Sequence, residues 1–153
     1  MSTLSNKRYA IRTKNGILGA VGEVFFAVRR WAARVIKERN LDLTFEQVMV
    51  LSVLEDEDGV GLGDLSELLD REKTTITRMV DGLERLNLAV RIPSKEDRRK
   101  KMIYLTRQGK EKINDLQKFK PEILKETTRG ISKKELDLAE DVLDRIFRNL
   151  NRE

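Results

Sequence analysis

Apolar residues recur along this chain at two spacings, and the changes between them outline its elements. Ile17, Leu18, Val21, Val24, Phe25, Val28, Trp31, Ala32, Val35 and Ile36 return every three or four positions. This is helical periodicity, and it predicts a long helix ending near Asn40. Phe26 and Ala27 widen its apolar face beyond what a lone surface helix needs. Asn15-Gly16 either starts that helix or interrupts it. Thr44-Phe45-Glu46-Gln47 has the form of a capping box, with Thr44 capping and Gln47 reaching back. The helix it opens carries Phe45, Val48, Met49, Leu51 and Leu54 and runs into the acids Glu55, Asp56, Glu57 and Asp58.

A short segment follows with Leu62, Leu65 and Leu69 on one face, then a polar break, Asp70-Arg71-Glu72-Lys73. A second helical pattern runs from Thr74 to about Leu86, its stripe made of Ile76, Met79, Val80, Leu83 and Leu86. Ala89–Ile92 and Lys101–Leu105 are rich in β-formers and read as two strands, with Pro93 suited to a strand end. Thr106 is expected to cap a further helix buried through Ile113, Leu116, Phe119, Ile123 and Leu124, kinked at Pro121 and stopped at Gly130. Ser132-x-x-Glu135 is a second capping box. Beyond it Leu136, Ala139, Leu143, Ile146 and Leu150 repeat in a 3,4 pattern, with Val142 and Phe147 alongside. The expected fold class is mainly α: a helix-turn-helix with a two-stranded β-ribbon, between long N- and C-terminal helices whose broad apolar faces predict dimerisation. A single domain over residues 1–153 is expected, with the helix-turn-helix and ribbon at about 42–105 and dimerisation helices at 10–40 and 106–153.

The face of the second helix opposite its stripe carries Thr74, Arg78, Asp81 and Arg85, flanked by Thr75 and Thr77. Threonines are poor helix filler, because they lose rotamer freedom there. Taken singly, Thr74 reads as a cap and Arg78 as a solvated charge. As a set they suit base edges and thymine methyls in a major groove. Between and within the strands, Arg91, Lys95, Arg98, Arg99, Lys100 and Lys101 face only Glu96 and Asp97 in eleven residues. A cationic hairpin of this kind can lie across phosphates and place an arginine in a minor groove. On charge alone, a solvated loop with lysine-protected edge strands is the better reading. Helix, turn, helix and ribbon is the layout of a winged helix-turn-helix, a reader of duplex DNA.

The run Arg91-x-x-Ser94-x-x-Asp97-Arg98-Arg99-x-x-x-Ile103-x-Leu105-Thr106-x-x-Gly109 resembles the wing and following helix start of the MarR (multiple antibiotic resistance regulator) family. Arg71-x-x-Thr74-Thr75-Ile76-Thr77-Arg78-Met79-Val80-Asp81-x-Leu83 is similar to that family's recognition helix. The resemblance covers almost the whole chain. It implies an obligate two-fold dimer on pseudo-palindromic double-stranded DNA, usually acting as a repressor. It also implies that Asp97 braces the hairpin through an ion pair with a wing arginine. Arg99 would enter the minor groove, with Arg98 as second candidate. Thr74, Thr75, Thr77 and Arg78 are then expected in the major groove, and Arg85, Arg91, Lys95, Lys100 and Lys101 at phosphates. Asn87 stands where the family usually has glycine; asparagine tolerates the left-handed conformation of a helix stop. Family members often bind small aromatic or phenolic compounds between the dimer helices and the reading unit. Phe25, Phe26, Trp31, Met49 and Phe119 could line such a pocket here, although residues of this kind are more often core.

Composition then narrows the function. The chain has 153 residues, 37% of them charged, and a formal net charge of +5, which permits nucleic acid as a partner without proving it. Residues 1–14 add Lys7, Arg8, Arg12 and Lys14 and no acid. There is no cysteine and no histidine. Disulfides, cysteine-based redox sensing, His/Cys zinc sites and Ser-His-Asp or Cys-His catalysis therefore lack their groups. No apolar run is long enough for a membrane span and no signal-peptide core is present, so a cytoplasmic protein is expected. No metal and no cofactor is expected, and no enzymatic activity. The acidic run at residues 55–58 is expected to be a solvated turn rather than a chelator of a hard cation. A winged helix that binds protein instead of DNA is the alternative, and it would not need an arginine-tipped hairpin.

Overall fold

The computed structural model describes residues 16–151. The basic segment with Lys7, Arg8, Arg12, Lys14 and Asn15 lies outside them. Among the described residues the order is α1 (Gly16–Glu38), α2 (Phe45–Asp56), β1 (Val60–Gly61), α3 (Leu62–Leu68), α4 (Lys73–Arg85), β2 (Ala89–Pro93), β3 (Lys101–Leu105), α5 (Arg107–Gln117), α6 (Lys120–Thr127) and α7 (Lys133–Leu150). The chain falls into two compact units, divided between Ile113 and Asn114.

In the first unit the core is assembled from α2, α3, α4 and the sheet. Val50, Leu51, Leu54, Leu65, Ile76, Val80, Leu83 and Ile103 are almost wholly removed from solvent. Full burial of side chains of this size is worth about 1.5–3 kcal/mol each. The sheet has three antiparallel strands in the order β1-β3-β2, one more than the periodicity predicts. Val60 pairs with Ile103 and Gly61 with Met102, so a two-residue strand flanks the hairpin. The hairpin register sets Ala89 opposite Leu105 and Pro93 opposite Lys101, and Pro93 occupies a strand end, where a missing N–H costs least.

The caps follow the sequence closely. Thr44 Oγ1 accepts the Gln47 N–H at 3.1 Å and Gln47 Oε1 accepts the Thr44 N–H at 2.9 Å. Asn87 has φ 55° and ends the turn after α4 in the left-handed region. Thr106 accepts the Gly109 N–H at 3.0 Å and donates its hydroxyl to the Asn87 carbonyl at 2.6 Å. Gly109 explains its place in the motif. A Cβ there would stand 2.0 Å from the Leu88 carbonyl oxygen, so α5 starts flush against the backbone that leads into β2.

The acidic run is more than a solvated turn. Asp58 Oδ1 accepts the Leu105 N–H at 2.8 Å, and Asp58 Oδ2 pairs with Lys110 Nζ at 3.1 Å. One carboxylate thus ties the loop after α2 to the end of β3 and to α5. Among the described residues no cluster of acids is arranged to hold a metal ion.

In the second unit Pro121 does more than kink a helix. The helix ends at Gln117 and α6 begins at Lys120 with Pro121 in its first turn, where its absent N–H would have had no helical partner. Gly130, at φ 78°, gives the stop before α7. Ser132 and Glu135 form the second capping box, and the Ser132 hydroxyl and N–H hold the Glu135 carboxyl below the ordinary carboxylate range. No residue of α7 is buried: Phe147 is 65% and Leu150 73% exposed. Likewise no residue of α1 is fully buried, and Ile17, Leu18, Val24 and Phe26 stay largely exposed on that helix. No helix among the described residues is long and apolar enough to cross a membrane.

Candidate nucleic-acid interface

The inner face of α4 supplies Ile76, Val80 and Leu83 to the core. Thr74, Arg78 and Arg85 consequently point outward and are exposed, with Thr75 and Thr77 half-buried at the edges. The helix begins one residue earlier than its apolar stripe suggests. Glu72 is the N-cap residue, so Thr74 sits inside the first turn and is not the cap. Its hydroxyl makes only a long 3.5 Å hydrogen bond to Glu72. The Thr77 hydroxyl is committed to the Lys73 carbonyl at 2.8 Å, which leaves its methyl group as the outward chemistry.

The wing tip is closed by its own backbone. Ser94 N–H donates to the Lys100 carbonyl and Lys100 N–H to the Asp97 carbonyl, both at 2.9 Å. Ser94 Oγ accepts the Glu96 N–H at 3.2 Å. Asp97 Oδ1 accepts the Arg99 N–H at 3.0 Å. Asp97 therefore braces the hairpin through a backbone amide and not through the expected ion pair with a wing arginine. An aspartate two residues before an amide closes the turn at lower entropic cost than a long arginine could. The arginines it would have held, Arg98 and Arg99, are left exposed, as are Lys95, Lys100 and Lys101.

Arg91 has a second set of contacts that the sequence did not show. It was expected at a phosphate, but it turns onto α4. One guanidinium nitrogen lies 2.7 Å from Asp81 Oδ1 and donates to the Thr77 carbonyl at 3.1 Å; the other pairs with Glu84. The Arg91 N–H also donates to Glu84 Oε1 at 3.0 Å. Its side chain is only 19% exposed. Asp81, assigned from the sequence to the outward face, is consumed in this contact. The stripe of α4 carries no charge, so periodicity alone could not show that Asp81 and Glu84 converge on one arginine of β2. Among the described residues Arg78, Arg85, Lys95, Arg98, Arg99, Lys100 and Lys101 form no ion pair, whereas Arg91 forms two.

Separately, a cavity of about 400 Å³ lies among α1, α2, α3 and α4 of the first unit. Phe25 and Met49, two of the five residues named from the sequence for a ligand pocket, line it together with Phe45, Met79, Arg29 and Arg71. Phe26 and Trp31 do not, because they lie on other faces of α1; Phe26 instead stacks edge-on against Phe25 at 5.7 Å between ring centroids. Phe119, the N-cap residue of α6, belongs to the second unit. Arg29 pairs with Glu46 at the cavity wall.

Comparison with known proteins agrees with this geometry. Residues 43–101, from two residues before α2 to the first residue of β3, match the model of the MarR family. These residues form a MarR family domain. The uncharacterized HTH-type transcriptional regulator YdgJ of Bacillus subtilis (strain 168) is 31% identical over 102 residues, 67% of this chain. The chain spans 62% of the length of YdgJ. A MarR transcriptional regulator from Methanosarcina mazei Go1 shares the fold, with a TM-score of 0.79 over 87% of this chain and 94% of that one at 22% identity. FabT of Streptococcus pneumoniae, solved in complex with DNA, has a TM-score of 0.72 over 88% of this chain and 94% of that one at 21% identity. The MarR match ends at Lys101, so it contains all of α4 and the whole wing tip.

Proposed function

We propose that this MarR-family protein is a sequence-specific DNA-binding transcriptional regulator. It works in the cytoplasm as a homodimeric repressor on pseudo-palindromic operators. One observation carries the reading: an outward threonine–arginine face on α4 and an arginine-tipped wing present seven cations that no carboxylate neutralises among the described residues. Neutralising phosphates with such groups releases counterions, which is the main source of affinity for duplex DNA. Thr74, Thr75, Thr77 and Arg78 read the major groove. Arg99, with Arg98 beside it, enters the minor groove, and Arg85, Lys95, Lys100 and Lys101 meet phosphates. That YdgJ is named a transcriptional regulator and that FabT was solved with DNA both support the reading.

The exposed apolar faces of α1 and of α7 support the homodimer, since each is too large to leave in water without a partner. Two copies would set their reading helices about one helical turn apart, roughly 34–36 Å. The cavity lined by Phe25 and Met49 is the seat for a small aromatic effector, which would act by favouring one spacing of the reading units over another. Calorimetry with salicylate-like compounds tests this, and an absence of both heat and melting shift would return these residues to the core. For the DNA reading, Arg99→Ala is expected to weaken operator binding strongly and to flatten its salt dependence. A variant that matched the parent across a salt series would remove Arg99 from the interface.

A further inference from the structure

The chain has no cysteine, so its side-chain sulfur is all thioether, in Met1, Met49, Met79 and Met102. Met49 and Met79 line the same cavity of about 400 Å³. Met49 stands on α2 and is 40% exposed, while Met79 stands on the apolar stripe of α4 and is half-buried. Phe25, Phe45 and Leu69 share that lining. We propose that Met49 is an oxidation site, with Met79 as its slower neighbour. A peroxide converts the thioether to a sulfoxide, and the sulfoxide lowers the affinity of the chain for duplex DNA. The inference rests on the DNA reading above and adds a chemical signal that the cationic face does not supply.

Oxidation of a thioether follows its exposure, and a peroxide of a few atoms fits a cavity of this size. A lone pair of Met49 Sδ attacks the terminal oxygen of the hydroperoxide. The S–O bond forms as the O–O bond breaks, and the hydroxyl proton passes to the departing oxygen, which leaves as water or an alcohol. Sulfur loses two electrons and the peroxide gains them. The product replaces a flexible apolar side chain with a polar one.

The consequence is set by what else surrounds the cavity. Its guanidinium donors are Arg29 and Arg71. Arg29 is paired with Glu46, whereas Arg71 Nη1 donates to the neutral Asp70 carbonyl at 2.7 Å. A sulfoxide oxygen is a strong acceptor and competes for the Arg71 guanidinium. Asp70 and Arg71 form the turn that leads into α4. Asp70 is held there at φ 48°, a left-handed conformation that aspartate adopts only with support. The Ser66 hydroxyl closes the turn by donating to the Arg71 carbonyl. Drawing Arg71 toward the cavity therefore loosens the turn that fixes the start of the reading helix. Met79 belongs to that helix itself, so a second oxidation acts on α4 directly. Met102 sits in β3 opposite Gly61 and is not among the residues around the cavity, which makes it the internal comparison.

The test treats the full chain with hydrogen peroxide and compares each protein with its own untreated sample. Peptide mass mapping locates each added oxygen, and gel shifts on a duplex recovered by selection give the affinity. Expected is sulfoxide at Met49 ahead of Met79, affinity lower by roughly tenfold, and recovery of both with methionine sulfoxide reductases. Met102→Leu should respond as the parent does. Met49→Leu, which keeps the volume and removes the sulfur, should lose little affinity on treatment. Sulfoxide at Met49 with unchanged affinity, or a Met49→Leu chain that responds like the parent, would overturn the oxidation site while leaving the DNA reading intact. An untreated parent that binds no duplex would overturn both.

Discussion

Replacing Arg91 by alanine separates a brace from a phosphate contact. In the folded chain this guanidinium meets Asp81 and Glu84 and donates to the Thr77 carbonyl. Hydrogen bonds to charged groups are worth about 1.5–3 kcal/mol when buried, while exposed ion pairs give only ~0.2–1 kcal/mol. Arg91 is 19% exposed but its carboxylate partners are 43% and 32% exposed, so the set falls between these limits, near ~2–3 kcal/mol in total. The deletion also leaves two carboxylates one turn apart with no cation between them, a further small penalty. For a chain of this length about 2–4 °C of melting temperature accompanies each kcal/mol, which makes the expected drop roughly 4–12 °C. Because the wing root is then no longer fastened to α4, operator affinity should fall roughly tenfold, about 1.4 kcal/mol. The slope of binding against salt should stay at the parent's value, since no phosphate contact has been lost. Thermal melting and a gel-shift salt series give both readings from the same preparations. An unchanged melting temperature with a slope lower by about one would refute the argument and place Arg91 at the backbone of the duplex. Arg91→Lys, which keeps the charge and loses the fork, should recover little of the stability.

Two further outcomes follow from the packing. Gly109→Ala drives a methyl into the Leu88 carbonyl and should cost at least about 1–3 kcal/mol in urea unfolding, because the obstacle is backbone; a neutral result would mean that α5 can slide. Leu143→Lys combined with Phe147→Lys places charge on the bare face of α7, and on the proposed homodimer reading sedimentation should show a dimeric parent and a monomeric double variant. A double variant that still sediments as a dimer would move the interface off that face.

Much of the fold was written in local pattern. Both capping boxes, the Asn87 stop, the hairpin strands and the inner face of α4 depend on neighbours within four residues, or on a period that repeats several times. What escaped depends on partners far apart in sequence. Val60–Gly61 is too short to show any period and becomes a strand only by pairing with β3. Asp58 reads as one acid among four until Leu105 and Lys110 close on it. Arg91 reads as one more wing cation, and only the fold brings Asp81 and Glu84 to it. The lining of the cavity in the first unit was half legible for the same reason. Phe25 and Met49 are on the faces that meet, while Phe26 and Trp31 share a helix with Phe25 but not its direction. At the wing, Asp97 holds an amide where an ion pair with an arginine was expected, because the amide lies two residues away.

The account depends on a duplex being gripped twice by each copy of the chain. Selection of bound sequences from a library of random duplexes tests that most directly. It should enrich two inverted half-sites whose centres are about 10–10.5 base pairs apart, and the same selection with Arg99→Ala should lose its preference at the positions under the wing. Recovery of unrelated sequences, or of one isolated half-site without an inverted mate, would contradict it.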